Sequence, residues 1–90
     1  MDYNTYLSQL ENYREQINAI DHQLVDLLVK RLDVVVNVGK LKQQANQPVL
    51  DSKREKAVID KIVQLANRDD YSNQLAIIYQ CIMDQAKTLE

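Results

Sequence analysis

Cysteine, glycine and proline each occur once in the 90-residue sequence, and phenylalanine and tryptophan are absent. The lone thiol, Cys81, excludes an intramolecular disulfide and fits a reducing compartment. The lone glycine, Gly39, cannot build a phosphate-cradling loop. No run of about 18 apolar residues is present, and the N-terminal stretch lacks the charged-then-apolar layout of a signal peptide. Neither membrane nor secretion is therefore expected, and the location read from the sequence is cytoplasmic. His22 and Cys81 have no ligand-type neighbours at the usual spacings, so no metal is expected. The formal charge of -2, with both signs interspersed, offers no basic face to nucleic acid or to a membrane surface.

What is present reads as helix. Stepping by seven gives Leu10, Ile17, Leu24, Arg31 and Val38, and a companion series gives Tyr6, Tyr13, Ile20, Leu27, Val34 and Leu41. This two-stripe heptad predicts one helix from about residue 4 to about residue 45. Such a helix is roughly 60 Å long, about twice the diameter of a compact globule of this chain length. It cannot bury its stripe on its own chain alone, and a second copy is the natural partner. Pro48, after Asn46 and Gln47, ends the helix. Ser52 and Glu55 have capping-box spacing, with Ser52 as the expected N-cap of a second helix that carries Val58, Ile59, Ile62, Val63, Leu65 and Ala66. The polar run Asn67 to Asp70 predicts a turn, and Tyr71 and Ser72 open a third helix with Leu75, Ile78, Ile82 and Leu89 on one face, widened by Ala76, Ile77, Tyr79, Cys81 and Met83 toward burial on more than one side. Cys81 is expected to be a small buried hydrophobe there. The fold class is all-α: one long helix and two shorter ones, in an intertwined homodimer with the long helices packed together, as a single domain over residues 1–90.

Arg31 interrupts the apolar seam with a charge that cannot be lost. It fixes register and pairing, snorkels outward or waits for an anion, and the residue alone leaves these readings open. Lys42 follows after eleven residues, close to three turns, and so projects from the same side. Arg14 lies about 100° round the helix from Arg31 and reaches the same space more readily from a second chain. Asp51 and Glu55 stand at the start of the second helix with Arg54 beside them. They suit the helix macrodipole, and they equally suit a hydroxyl donor near the cations. His22 falls outside both stripes and carries no expected role.

Read in order, Arg14 in YREQI, Arg31 and Lys42 in VKRLDVVVNVGKLK, and Asp51, Arg54 and Glu55 in PVLDSKREK closely resemble the signature of the all-helical chorismate mutases. The resemblance runs over about residues 7 to 65 and implies a cofactor-free isomerase of aromatic amino-acid biosynthesis. It implies a dimer with two sites, each completed by the other chain's Arg14. By resemblance, Arg14 and Arg31 clamp the two carboxylates of chorismate, and Lys42 donates to the ether oxygen. Asp51 and Glu55 hold the ring hydroxyl, and Arg54 is a secondary contact that orients Glu55. The last third matches with a turn one residue shorter, aligning Tyr79, Gln80, Ile82, Met83 and Asp84. Ala86 then stands where many relatives have a serine, and Glu90 where many have a glutamine that donates to the ether oxygen. Glu90 can donate only when protonated, and the bland alternative is a frayed terminal acid. Docking on another shikimate-pathway enzyme is a further expectation, since such small mutases occur fused to or bound by partners. The competing readings are an isochorismate pyruvate lyase, an aminodeoxychorismate mutase, and a non-catalytic helical dimerisation or regulatory module. The Asp51 and Glu55 pair favours the mutase.

Overall fold

The computed structural model describes every residue from Met1 to Glu90 and contains helices without strands. α1 spans Tyr3–Gln44, α2 Ser52–Ala66 and α3 Ser72–Lys87, with one 3₁₀ turn, Asp69–Tyr71, between α2 and α3. The expected order of one long and two shorter helices is present. By compactness the chain divides into two units, Met1–Arg31 and Leu32–Glu90.

The first unit is a length of helix. Asp2 caps it: its carboxylate accepts from the Thr5 N–H at 2.7 Å and its carbonyl from the Tyr6 N–H at 3.0 Å. The Thr5 bond, foremost, lowers the Asp2 pKa by favouring the ionised form. A single helix has nothing of its own to pack against, and the stripe shows it: Tyr13, Ile20 and Leu27 are each more than 60% exposed. His22 is exposed, its Nδ1 3.7 Å from Asp26, as expected for a position outside both stripes.

In the second unit α1 ends in a Schellman motif. Asn46 takes the left-handed conformation at φ 55°, its N–H donates to Gln43 O, and the Gln47 N–H reaches back to Lys42 O at 2.8 Å. Pro48 follows, where a helix cannot resume. At α2 the structure corrects the expected cap. Asp51, not Ser52, is the N-cap: its Oδ1 accepts from the Arg54 N–H at 2.9 Å, and Ser52 is the first helical residue. The capping box is therefore not formed, and the Glu55 side chain is free for other partners. α2 closes on Asn67, again left-handed at φ 51°. Arg68 then folds onto the turn, with two bonds to the Asp70 carboxylate at 3.1 and 2.8 Å and its guanidinium 4.7 Å from the Tyr71 ring centre.

α3 packs against α2, and its buried residues are Met83 and Ala86. Of the expected face, Leu75 and Ile82 are half-buried and Ile78 and Leu89 about half exposed, while Met83 of its widened margin is buried. Cys81 is exposed, contrary to its expected burial. Two residues along a helix is about 200° of rotation, so a helix that buries Met83 turns Cys81 outward.

Gly39, in α1, is the third buried residue, and the reason is geometric. A Cβ built there would lie 2.7 Å from Glu90 Cα and 3.1 Å from Glu90 O. The terminal turn thus docks on the one position of α1 without a side chain. In an open helix Gly→Ala gains about 1 kcal/mol, but here the atoms met are backbone, and overpacking typically costs about 1–3 kcal/mol. Gly39→Ala should lower the thermal unfolding midpoint and raise amide exchange at Leu89 and Glu90; a raised midpoint with unchanged exchange would show that the close approach is not needed.

Candidate active site

The docked terminal turn carries charge to α1. Lys42 is half-buried near the end of α1, and its Nζ donates to Glu90 Oε1 at 2.6 Å and to Val49 O at 2.8 Å. The Glu90 side chain is only 9% exposed. Glu90 is not frayed: the Thr88, Leu89 and Glu90 N–H groups each bond back three residues, to Gln85, Ala86 and Lys87. An ammonium has three N–H donors, so with two held by the protein one remains for another acceptor.

A second cluster lies between the start of α2 and the end of α3. Glu55, half-buried, accepts from Gln80 Nε2 at 3.1 Å through Oε1 and pairs with Lys87 Nζ at 3.1 Å through Oε2. Gln80 and Lys87 also reach Asp84 Oδ1, at 3.0 and 3.3 Å. The Gln80 bond, then Lys87, holds the Glu55 pKa below its ordinary value, and the Glu55 bond raises that of Lys87. A depressed carboxylate contributes stability that is lost as pH falls through its folded pKa. A raised lysine contributes stability that is lost as pH rises through its folded pKa. The cluster therefore holds from below the ordinary glutamate range to above the ordinary lysine range.

The remaining expected residues are less engaged. Asp51 commits Oδ1 to the cap, and its other oxygen has no protein partner. Arg54 was expected to orient Glu55, but its side chain makes no hydrogen bond or ion pair, and Gln80 and Lys87 occupy Glu55 instead. Arg31 is half-buried and Arg14 exposed, and neither has an acidic partner.

Sequence reasoning missed Lys87, the role of Gln80, and Gly39. The available signal for the first two was a polar line on an otherwise apolar helix: Gln80, Asp84 and Lys87 follow at intervals of four and three, one face of α3. Gly39 was the only glycine, inside a helix, where glycine is unfavourable unless something approaches closely.

The chain was compared with known proteins. The family model for chorismate mutase type II matches residues 13–90. A bifunctional chorismate mutase/prephenate dehydratase of Buchnera aphidicola is 32% identical over 80 residues, 88% of this chain and 21% of that protein. The corresponding bifunctional protein of Escherichia coli is 30% identical over 74 residues, 81% of this chain and 19% of that protein. The chorismate mutase of Methanocaldococcus jannaschii is 27% identical over 85 residues, 93% of this chain and 86% of that protein. The chain thus spans about a fifth of the length of these bifunctional relatives. No solved structure matched significantly. Since the family model covers nearly all of a helical chain whose Lys42, Asp51 and Glu55 are held by defined caps and ion pairs, the chain belongs to the chorismate mutase type II family.

Proposed function

We propose that the protein converts chorismate to prephenate, as an isomerase of aromatic amino-acid biosynthesis that needs no cofactor and works in the cytoplasm. The reaction is an intramolecular rearrangement in which the ether C–O bond breaks as a C–C bond forms, so no nucleophile or general base is required. The protein has to hold the folded conformer and stabilise negative charge developing on the ether oxygen. The observation that carries this reading is Lys42: two fixed bonds aim the ammonium and one N–H is left to donate. Arg14 and Arg31 bind the two substrate carboxylates, and Asp51 and Glu55 accept from the ring hydroxyl. Arg54 stands at the edge of the site.

The working unit in this proposal is an intertwined homodimer. Tyr6, Tyr13, Ile17, Ile20, Leu24, Leu27, Val34, Val38 and Leu41 are all exposed. At roughly 1 kcal/mol for burying the remainder of each, two copies gain on the order of 18 kcal/mol gross. That exceeds the estimated association cost of about 4–15 kcal/mol. The arrangement also brings Arg14 of one chain to the site of the other. Docking on another shikimate-pathway enzyme remains part of the proposal, supported by relatives whose names join the mutase to a second activity.

Purified protein should form prephenate from chorismate, and Arg31→Ala, of confirmed fold, should lose at least about 100-fold in kcat/KM. Parallel incubations with isochorismate and aminodeoxychorismate separate the related enzymes, and no turnover with any of the three leaves the dimerisation module. If Arg14 acts across the interface, inactive Arg14→Ala and Arg31→Ala chains refolded together should recover about a quarter of wild-type activity, because half of the dimers hold one intact site. Recovery of none would place both arginines on one chain's site.

Ionised Glu90 beside Lys42 opposes negative charge on the ether oxygen, whereas protonated Glu90 can donate to it. Glu90→Gln removes the charge and keeps a donor, so it should raise kcat; an unchanged kcat in the variant removes Glu90 from the chemistry.

A further inference from the structure

Glu55 is the acid of the proposed site that another helix grips from two sides. Gln80 donates one amide hydrogen to Glu55 Oε1 at 3.1 Å and the other to Asp84 Oδ1 at 3.0 Å. Two acceptors flank that nitrogen, so the amide orientation is set by chemistry: turned over, its oxygen would face two carboxylates. Lys87 Nζ sits across from it, 3.1 Å from Glu55 Oε2 and 3.5 Å from Oε1. Exposure falls along the cluster, from 52% for the Asp84 side chain through 28% for Lys87 to 17% for Glu55. The enclosed acid is thus Glu55, and Asp84 lies on the solvent side. A carboxylate offers about four acceptor sites, and those bonds leave room for one hydroxyl donor from outside.

We propose that Lys87 is a positioning residue of the site: it fixes the Glu55 carboxylate, with Gln80, so that the unspent lone pair faces the substrate's hydroxyl. This rests on the reading that Glu55 accepts from that hydroxyl. Two contacts through different oxygens hold the plane of the carboxylate, which a single bond cannot do. The charged groups facing Glu55 are Lys87 and Asp84 of α3, and no side chain of its own helix or of α1 hydrogen-bonds to it. Gln80 first and Lys87 second favour the ionised, acceptor-only form of Glu55, whose pKa is lowered accordingly. The same terminal turn that brings Glu90 to Lys42 brings Lys87 to Glu55, because Glu90 N–H bonds to Lys87 O and i,i+3 side chains of such a turn lie on one side.

The test is Lys87→Met in the full chain, with Lys87→Gln as the variant that keeps a donor and loses the charge, and Lys87→Arg as the conservative rescue. Carbon-detected titration of the Glu55 carboxyl in free protein should move to higher pH in Lys87→Met and return toward wild type in Lys87→Arg. KM for chorismate should rise roughly tenfold with a smaller change in kcat, and the acid limb of kcat/KM should shift upward in pH. In a Glu55→Gln background Lys87→Met should have no further effect on KM. An unmoved Glu55 titration overturns the proposal even where turnover persists. A moved titration with unchanged KM and acid limb also overturns it, since Lys87 then supports only the fold. The titration needs no substrate, so absence of turnover in wild type would instead count against the mutase reading.

Discussion

The close approach of the terminal turn to α1 at Gly39 is the constraint on which the charged part of the second unit depends. Glu90 Cα occupies the space that a side chain at position 39 would fill. A glycine inside a helix is less favourable than alanine by about 1 kcal/mol, and that cost is met here for a specific placement. One turn, Lys87 to Glu90, is pinned against α1 and directs both of its ends. Glu90 reaches Lys42, and Lys87 reaches Glu55. Three helices are thereby tied through ion pairs whose partners are 32 and 48 residues apart in sequence.

These pairs matter more for where they hold charges than for the stability they add. Lys42 and Glu55 remain partly accessible, and solvent screens such pairs, so each contributes little net folding energy. What they provide is order before any ligand arrives. Catalysis by electrostatic preorganisation requires donors and acceptors already aimed, so that none has to reorganise as charge develops. Lys42 keeps one N–H, Asp51 one oxygen and Glu55 one acceptor site beyond what the protein uses. The arginines follow the opposite arrangement. Arg14 and Arg31 have no acidic partner within the chain, and in the proposed function both are left to bind the substrate's carboxylates.

Helix order was legible in the sequence because it rests on local rules. The heptad repeats over the whole of α1, and Pro48 and the two asparagine turns are each read within a few residues. The start of α2 was harder, since Asp51 and Ser52 are both good caps and propensity scarcely separates them. The capping-box pattern favoured Ser52, yet Asp51 won, which moved the third helical position to Arg54 and freed Glu55. Cys81 failed for a related reason: α3 is apolar nearly all round, so period alone does not select the inward face, and burial of Met83 and Ala86 selects it. Lys42, Asp51 and Glu55 stood out by spacing and resemblance. Lys87 did not, because its meaning lies in a partner on another helix, and no local pattern names that partner.

Glu90 shows why the site should not be read as a collection of stabilising contacts. For the free protein, an acid beside Lys42 is favourable: it neutralises an enclosed cation and secures the terminal turn. For the proposed chemistry the same charge is adverse, since it stands where electron density is to accumulate. A neutral amide would remove the adverse charge and could still accept from Lys42 through its oxygen, but it would leave the cation unneutralised. A fold that violates local consistency commonly does so where function acts, and in this chain the violation is a carboxylate held at the cation that the proposed reaction needs.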